Sequence, residues 1–154
     1  MFAKPQAGHE WLNQLVGEWE FRHECVIPDG EPSETTGTAS CRSLGGMWLV
    51  IESTGESPEG SWTSIMMLGF APEKGVYVGT FVGSNMSNLW LYEGTLEENR
   101  LTLNTQGPSF DGTGTSDYRD VIEVFDENTW WLRSSMPNDH GTWMPFMNGK
   151  HTRR

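Results

Sequence analysis

The sequence has little of what several protein classes require. It contains only two cysteines, Cys25 and Cys41, which excludes a disulfide framework. No apolar run approaches the roughly 20 residues of a membrane-spanning helix, and residues 1–10 lack a secretory-signal pattern. We therefore expect a cytoplasmic protein with reduced thiols, while leaving open whether the two cysteines pair.

Positive charge is also scarce. Ten lysines and arginines stand against 21 aspartates and glutamates, giving a formal net charge of −11. Such a chain repels phosphate backbones and anionic lipid surfaces, so neither nucleic acid nor membrane is expected as a partner. Histidine and cysteine spacing shows no metal-ligand pattern, and neither a Gly-x-Ser-x-Gly elbow nor a Walker loop is present. The sequence thus contains no recognisable catalytic motif, and we expect neither a bound metal nor a cofactor.

What the sequence does contain is hydrophobic periodicity of two kinds. Residues 9–16 carry Trp11, Leu12, Leu15 and Val16 at helical spacing, which predicts one short helix ended by Gly17. Beyond that glycine the period changes to two, with Trp19, Phe21, Cys25 and Ile27 alternating with charged residues. This alternation is typical of a strand with one buried and one wet face.

The two-residue rhythm continues to residue 147, broken by short turns such as residues 28–32 and 72–75. We count about ten strands, with no helical pattern between them that would allow parallel βαβ units. Closure removes the exposed edges of so many short strands. The sequence therefore predicts one all-β domain over residues 1–154: an antiparallel up-and-down barrel with the helix over one end. A two-sheet sandwich is the alternative.

Two resemblances accompany this prediction. A short helix followed by Gly17-Glu18-Trp19 resembles the start of the lipocalins and their calycin relatives. A closer resemblance, over nearly the whole chain, is to a bacterial family catalogued as domain of unknown function 1579. It rests on these residues: His9-x-x-Leu12-x-x-Leu15-Val16-Gly17-x-Trp19, Gly37-Thr38-Ala39, Leu44-Gly45-Gly46, Gly69-Phe70, Tyr77-Val78-Gly79-Thr80-Phe81 and Tyr92-x-Gly94. The resemblance implies a calycin-like barrel and no established activity. Met47 and Ala71 stand where the family has a basic residue and an aspartate.

His23 is the residue with the sharpest predicted role. Alternation places it on the dry face of the first strand with Phe21, so it points into the barrel and its pKa should be depressed. It is either a polar handle for a ligand or a core histidine satisfied by a neighbour. The remaining histidines fall near the helix start, in a turn and in the tail.

The other candidate ligand-binding residues are large apolar side chains and one arginine. The full candidate set is Phe21, His23, Met66, Trp90, Arg119 and Trp130. The tryptophans and methionines either fill the barrel or line a cavity for an apolar ligand. Arg119 is either a clamp for a ligand carboxylate or a surface ion-pairing residue, since alternation leaves the face of its strand undecided.

Three functions remain open from the sequence. The first is a binding module for a small apolar or aromatic molecule. The second is an enzyme that uses a polar group such as His23 in the same cavity. The third is a filled barrel that self-associates. An open, partly polar cavity favours the first two, and titratable groups within hydrogen-bond reach inside it favour the enzyme. The number of aromatic residues also predicts a homodimer through strand faces.

Overall fold

A computed structural model describes residues 1–28 and 30–154 of the chain. One helix, α1 (Ala7–Asn13), precedes ten strands. The strands are β1 (Gly17–Cys25), β2 (Ser33–Leu44), β3 (Trp48–Ser57), β4 (Gly60–Ala71), β5 (Val76–Gly83), β6 (Trp90–Glu97), β7 (Arg100–Pro108), β8 (Thr115–Asp126), β9 (Thr129–Pro137) and β10 (Trp143–Arg153). Each strand pairs antiparallel with the next, and β1 pairs with β10, so the sheet closes. The predicted up-and-down barrel is confirmed.

The two ends of the barrel differ. The closed end carries α1 and the tight turns at residues 45–47, 72–75, 98–99 and 127–128. The open end carries the other connections, at residues 26–28 with 30–32, 58–59, 84–89, 109–114 and 138–142. Position 29, in a turn that the sequence predicts, lies outside the described residues. This alternation of ends follows from an up-and-down meander, because every second connection returns to the same end.

The helix closes its end through one tryptophan and two leucines. Leu12, Leu15 and Trp19 are fully buried in one cluster, and the Trp19 indole N–H donates to the Leu15 carbonyl at 2.9 Å. The burial of Leu12 with Trp19 agrees with the prediction that the helix lies over one end of the barrel. The helix bounds differ: α1 begins at Ala7 and ends at Asn13, so Leu15 lies in the turn that follows. His9 explains the early start, since its Nδ1 accepts a hydrogen bond from the Gln6 backbone N–H at 2.9 Å.

The last strand is longer than its sequence pattern predicts. Alternation in the sequence ends at Met147, whereas β10 continues to Arg153 and pairs with β1 along most of its length. Residues 148–153 are polar, so their pairing cannot be inferred from hydrophobic spacing. These residues are held instead by backbone pairing with β1, which closes the barrel.

The two cysteines lie at opposite ends of the first hairpin. Cys41 pairs across the ladder with Gly17, at the start of β1, whereas Cys25 is the last residue of that strand. Eight residues of strand span about 26 Å, well beyond disulfide reach. Both thiols are free.

Candidate functional site

The inward side chains leave a cavity inside the barrel. Its volume is about 320 Å³. The wall is largely apolar and aromatic, with a smaller number of polar groups. The lining residues are His23, Ile51, Ser53, Trp62, Ser64, Met66, Phe81, Asn85, Met86, Trp90, Tyr92, Thr105, Pro108, Phe110, Tyr118, Asp120, Trp130, Leu132, Ser134, Phe146, Met147 and His151. Barrel strands supply most of them, and Asn85, Met86 and Phe110 come from loops of the open end.

The mouth of the cavity is an aromatic cluster of Trp90, Phe110, Tyr118 and Phe146. Trp90 and Phe110 each meet the Tyr118 ring edge-on, with ring centroids 5.2 and 5.9 Å apart. Phe146 contacts Phe110 in the same way at 5.1 Å. The Tyr118 hydroxyl donates to the Pro108 carbonyl at 2.6 Å, which connects the cluster to the end of β7. Phe110 is 47% exposed, so this cluster meets solvent directly.

The deep part of the cavity holds two histidines among aromatic rings. His23 stacks on Phe21 with ring centroids 4.3 Å apart, and His151 stacks on Trp130 at 3.6 Å. The two imidazole centroids are 5.4 Å apart. Gly149 makes room for this arrangement, because a Cβ there would collide with the His23 ring. The β1–β10 ladder thus places both histidines on the same wall.

Burial keeps both imidazoles neutral. It lowers the pKa of His23 from 6.5 to about 4. It also lowers the pKa of His151 well below its ordinary value, with a further contribution from His23 beside it. A cationic imidazole loses hydration in such a site, so the neutral form is favoured. At neutral pH each ring therefore offers one N–H donor and one acceptor.

Several polar atoms at the cavity are buried and have no hydrogen-bond partner among the described residues. They are His23 Nε2, Thr105 Oγ1, Trp130 Nε1 and His151 Nδ1. Trp130 and His151 are 1% and 2% exposed, so bulk water does not satisfy them. Buried polar groups in native proteins are almost always hydrogen-bonded. A cavity that collects such atoms is therefore suited to a guest with hydrogen-bonding groups of its own.

A third polar group lies on β8, which is separated from β10 by β9 alone. Asp120 is on the inward face of β8, where Tyr92 and Ser134 both donate hydroxyl hydrogen bonds to its carboxylate, Ser134 at 2.6 Å. Burial raises the pKa of Asp120, and these two hydrogen bonds oppose the rise. The pKa of Tyr92 is raised well above its ordinary value, first by burial and then by the neighbouring charge of Asp120.

The structure places the six sequence-derived candidates in three different settings. His23, Met66, Trp90 and Trp130 line the cavity. Phe21 is buried behind His23 and supports that ring. Arg119 lies on the outer face of β8, with its guanidinium 3.8 Å from the centroid of the Trp143 ring. Because Tyr118 and Asp120 take the inward positions on either side of it, Arg119 does not reach the cavity.

Sequence reasoning missed two polar residues of the site. His151 was assigned to the tail, but it lies on β10 and is buried against Trp130. Asp120 is absent from the predicted set, because two competing apolar phases on β8 leave the face of this strand undecided in the sequence. Tyr118 and Ile122, two residues to either side of Asp120, give the correct phase, since both are buried. Choosing that phase from the sequence would have required knowing which strand face the barrel encloses.

Several solved structures have a fold similar to that of this chain. Rv2717c from M. tuberculosis superposes with a TM-score of 0.73 at 13% identity, over 98% of this chain and 99% of that chain. An S-type phycobiliprotein lyase, CPES, from Guillardia theta gives 0.60 at 13% identity, over 97% and 98%. The redesigned β-barrel mFAP1, bound to DFHBI, gives 0.50 at 13% identity, over 92% and 97%. At these identities the likeness concerns the fold.

Sequence comparison identifies the family. No curated protein matches the chain. Among the described residues, no helix is long and apolar enough to cross a membrane. One family model matches residues 4–153, almost the whole chain, and its description is "Protein of unknown function (DUF1579)". The chain, with its ten-stranded barrel and interior cavity, therefore belongs to the DUF1579 family.

Proposed function

We propose that this protein binds one small, largely apolar or aromatic molecule inside its barrel. The observation that carries the proposal is the cavity of about 320 Å³, whose apolar wall contains buried polar atoms without partners. Ligand pockets of this kind combine apolar walls with a few convergent polar groups, and their volumes begin at about 300 Å³. The mFAP1 barrel, which has a similar fold, is bound to DFHBI. This supports the proposal at the level of the fold.

The cavity also argues against a filled barrel. In a filled barrel, the inward tryptophans and methionines would pack against one another and leave no such space. Here the side chains of Trp62, Met66 and Trp90 border an open volume that reaches loops of the open end. The interior is therefore available to a guest.

A matched pair of neighbouring positions on β4 tests the proposal. Ser64 faces the cavity and is buried, whereas Ile65 faces outward and is 37% exposed. Ser64→Phe should fill the cavity and abolish binding of the neutral probe N-phenyl-1-naphthylamine, measured by energy transfer from the cavity tryptophans. Ile65→Phe should bind as the wild type does. Equal binding by both variants, with both folded by circular dichroism, would place the probe elsewhere and refute the proposal.

A second candidate, an enzyme in the same cavity, is favoured by one contact. Tyr92 and Asp120 are two titratable groups within hydrogen-bond reach inside the cavity, the criterion that separates an enzyme from a binding module. Within residues 1–28 and 30–154, His23 makes no such contact and its Nε2 has no hydrogen-bond partner. In this alternative, the Tyr92–Asp120 pair moves a proton to or from the bound molecule.

Metabolite profiling distinguishes the two candidates. A cell extract is incubated with the wild type or with Asp120→Asn, and all small molecules are then released and quantified by mass spectrometry. A binding protein leaves total composition unchanged in both samples. An enzyme depletes one species and accumulates another with the wild type alone.

We also propose a homodimer through an outer strand face. Three exposed apolar side chains lie on the outer surface of β4–β6: Ile65, Val82 and Leu91. Ile65 and Val82 are cross-strand partners, and Leu91 is opposite Thr80, two residues from Val82 on β5. Covering these side chains removes apolar surface from water. Light scattering should give the mass of a dimer for the wild type and of a monomer for Leu91→Lys. A wild-type monomer would refute the dimer.

A further inference from the structure

Asp120 is the one carboxyl group among the cavity-lining side chains in residues 1–28 and 30–154. Its position on β8 places Leu103 and Ser134 directly across the ladder on either side. Both neighbouring polar side chains are hydroxyls: Tyr92 reaches one carboxylate oxygen and Ser134 the other. Two hydroxyl donors are the arrangement that suits a carboxylate, which accepts hydrogen bonds at both oxygens and retains lone pairs for a third partner.

Within the described chain, no protein cation neutralises this carboxylate. The cavity wall includes neither lysine nor arginine. Arg119 and Arg133, on β8 and β9, both point away: Arg119 stacks on Trp143, and Arg133 pairs with Glu123 at 2.6 Å. The two cavity histidines are held neutral by burial. A buried carboxylate that lacks a cationic partner is costly to ionise, and a guest that brings a positive charge removes that cost.

The surroundings of Asp120 also suit a cation. The aromatic cluster at the mouth, together with Trp62 and Phe81, gives the cavity several ring faces, which attract cations through their quadrupole. The net charge of −11 favours entry of cations and opposes entry of anions. Charge, hydrogen-bonding capacity and wall chemistry therefore point to the same class of guest.

We infer that the ligand is an aromatic or apolar amine whose protonated nitrogen donates a hydrogen bond to Asp120. Its apolar body lies against the aromatic wall, and its ammonium group contacts the Asp120 carboxylate. This inference rests on the proposed function, and it adds the charge of the ligand. It excludes carboxylates such as fatty acids from the cavity, because their charge would meet that of Asp120.

The test uses three probes of nearly equal size and different charge. They are 1-naphthylmethylamine as the cation, 1-naphthylmethanol as the neutral analogue and 1-naphthoate as the anion, each titrated by calorimetry at neutral pH. The wild type should bind the amine about tenfold or more tighter than the alcohol, the gain of one charge-assisted hydrogen bond. The carboxylate should bind more weakly than either.

Variants then locate the preference. Asp120→Asn should abolish the preference for the amine over the alcohol, since the amide keeps the shape of the carboxylate but loses its charge. Asp117→Asn is the matched control, because Asp117 lies on the outer face of the same strand and its loss changes the net charge equally. It should leave the amine preference intact.

The outcomes separate the two levels of the proposal. If the alcohol binds and the amine binds no tighter, the inference about charge is wrong and the binding function stands. If the anion binds tightest, the inference is likewise wrong. If none of the three probes binds the folded wild type, both the inference and the proposed function fail. The probe comparison needs no variant, so a misfolded Asp120→Asn protein would leave the test intact.

Discussion

At the residue scale, His23 is a polar side chain that points into the barrel and packs against aromatic rings. Its ring is stacked on Phe21 and lies parallel to Trp62, with centroids 4.3 and 6.4 Å away, and its Nε2 is buried without a partner. His151 is the titratable group beside it. The inward position follows from strand alternation, as the sequence predicts. The aromatic contacts hold the ring in place and exclude water, which is the cause of its lowered pKa.

This pKa makes the stability of the fold depend on pH. Between the unfolded value of 6.5 and the folded value of about 4, the unfolded chain binds more protons at His23 than the folded chain does. The contribution of His23 is therefore fully present above 6.5 and is lost as the pH falls through that window. His23→Phe should flatten the acid decline in unfolding free energy by up to about 1 kcal/mol per pH unit.

Urea denaturation at a series of pH values measures this change. His140→Gln, on an exposed loop, is the control and should follow the wild type. If His23→Phe and the wild type lose stability in parallel, His23 is not held neutral by the fold, and the account of its environment is wrong.

A second prediction at this scale concerns the carboxyl group of Asp120. The hydrogen bond from Tyr92 lowers the pKa of Asp120 against the effect of burial. Tyr92→Phe should therefore raise the pKa of Asp120, because the carboxylate loses a donor while remaining buried. Carbon-13 NMR of labelled aspartate carboxyls follows this pKa directly. An unchanged pKa would mean that the Tyr92–Asp120 contact is absent in solution.

At the scale of elements, α1 and the first hairpin show how the closed end is made. Leu12 is buried at 1% exposure, and Trp19 ties the turn after the helix to β1 through the Leu15 carbonyl. The Arg153 guanidinium, at the end of β10, donates to the Val16 carbonyl at 3.0 Å and lies 4.2 Å from the Trp19 ring centroid. The two ends of the chain thus meet at the helix that covers the barrel.

Truncating the helix contact should destabilise the whole barrel. Leu12→Ala should lower the unfolding free energy by about 2–5 kcal/mol, through lost burial and the cavity left behind. Glu10→Ala, on the exposed side of the same helix, should change it by less than about 0.5 kcal/mol. Chemical denaturation measures both. Equal, small effects would show that α1 is not part of the cooperative core.

The positions of the two cysteines on the first hairpin indicate which thiol reacts first with a thiol reagent. Cys41 is buried, and its pKa is raised to about 12 by burial and by the charge of Glu18. Cys41 should therefore resist a thiol reagent until the protein unfolds, while the half-buried Cys25 should react first. Mass spectrometry after timed labelling identifies the modified residue. An intramolecular disulfide formed in the native protein would contradict the register of β1 and β2.

These elements also show how much can be inferred from sequence. Alternation predicted the ten strands, because each buries one face, and the glycine turns predicted their order around the barrel. Hydrophobic alternation does not predict a strand or a side-chain orientation where the residues are ordered by something other than apolar burial. The polar end of β10 is ordered by its pairing with β1, and His151 was missed for that reason. Asp120 was missed because a barrel interior, unlike a core, admits a carboxyl group beside hydroxyl donors.

At the scale of the whole molecule, the barrel has one closed end, one end with an aromatic mouth and a cavity between them. Closure satisfies the backbone hydrogen bonds of every strand edge, so the interior need not be filled for the sheet to persist. The polar atoms of the wall that have no partner among the described residues gain hydrogen bonds from a guest with complementary groups. Occupancy of the interior by a small molecule is therefore the property to test.

The most direct test follows the methyl groups of methionine by NMR during titration with 1-naphthylmethylamine. Met66, Met86 and Met147 line the cavity, whereas Met67 is next to Met66 in sequence but on the outer face of β4. Each signal is assigned by a methionine-to-leucine substitution. We predict saturable shifts of the Met66 and Met147 methyls and an unmoved Met67. Saturable shifts at Met67 with Met66 and Met147 unmoved would contradict a ligand site inside the barrel.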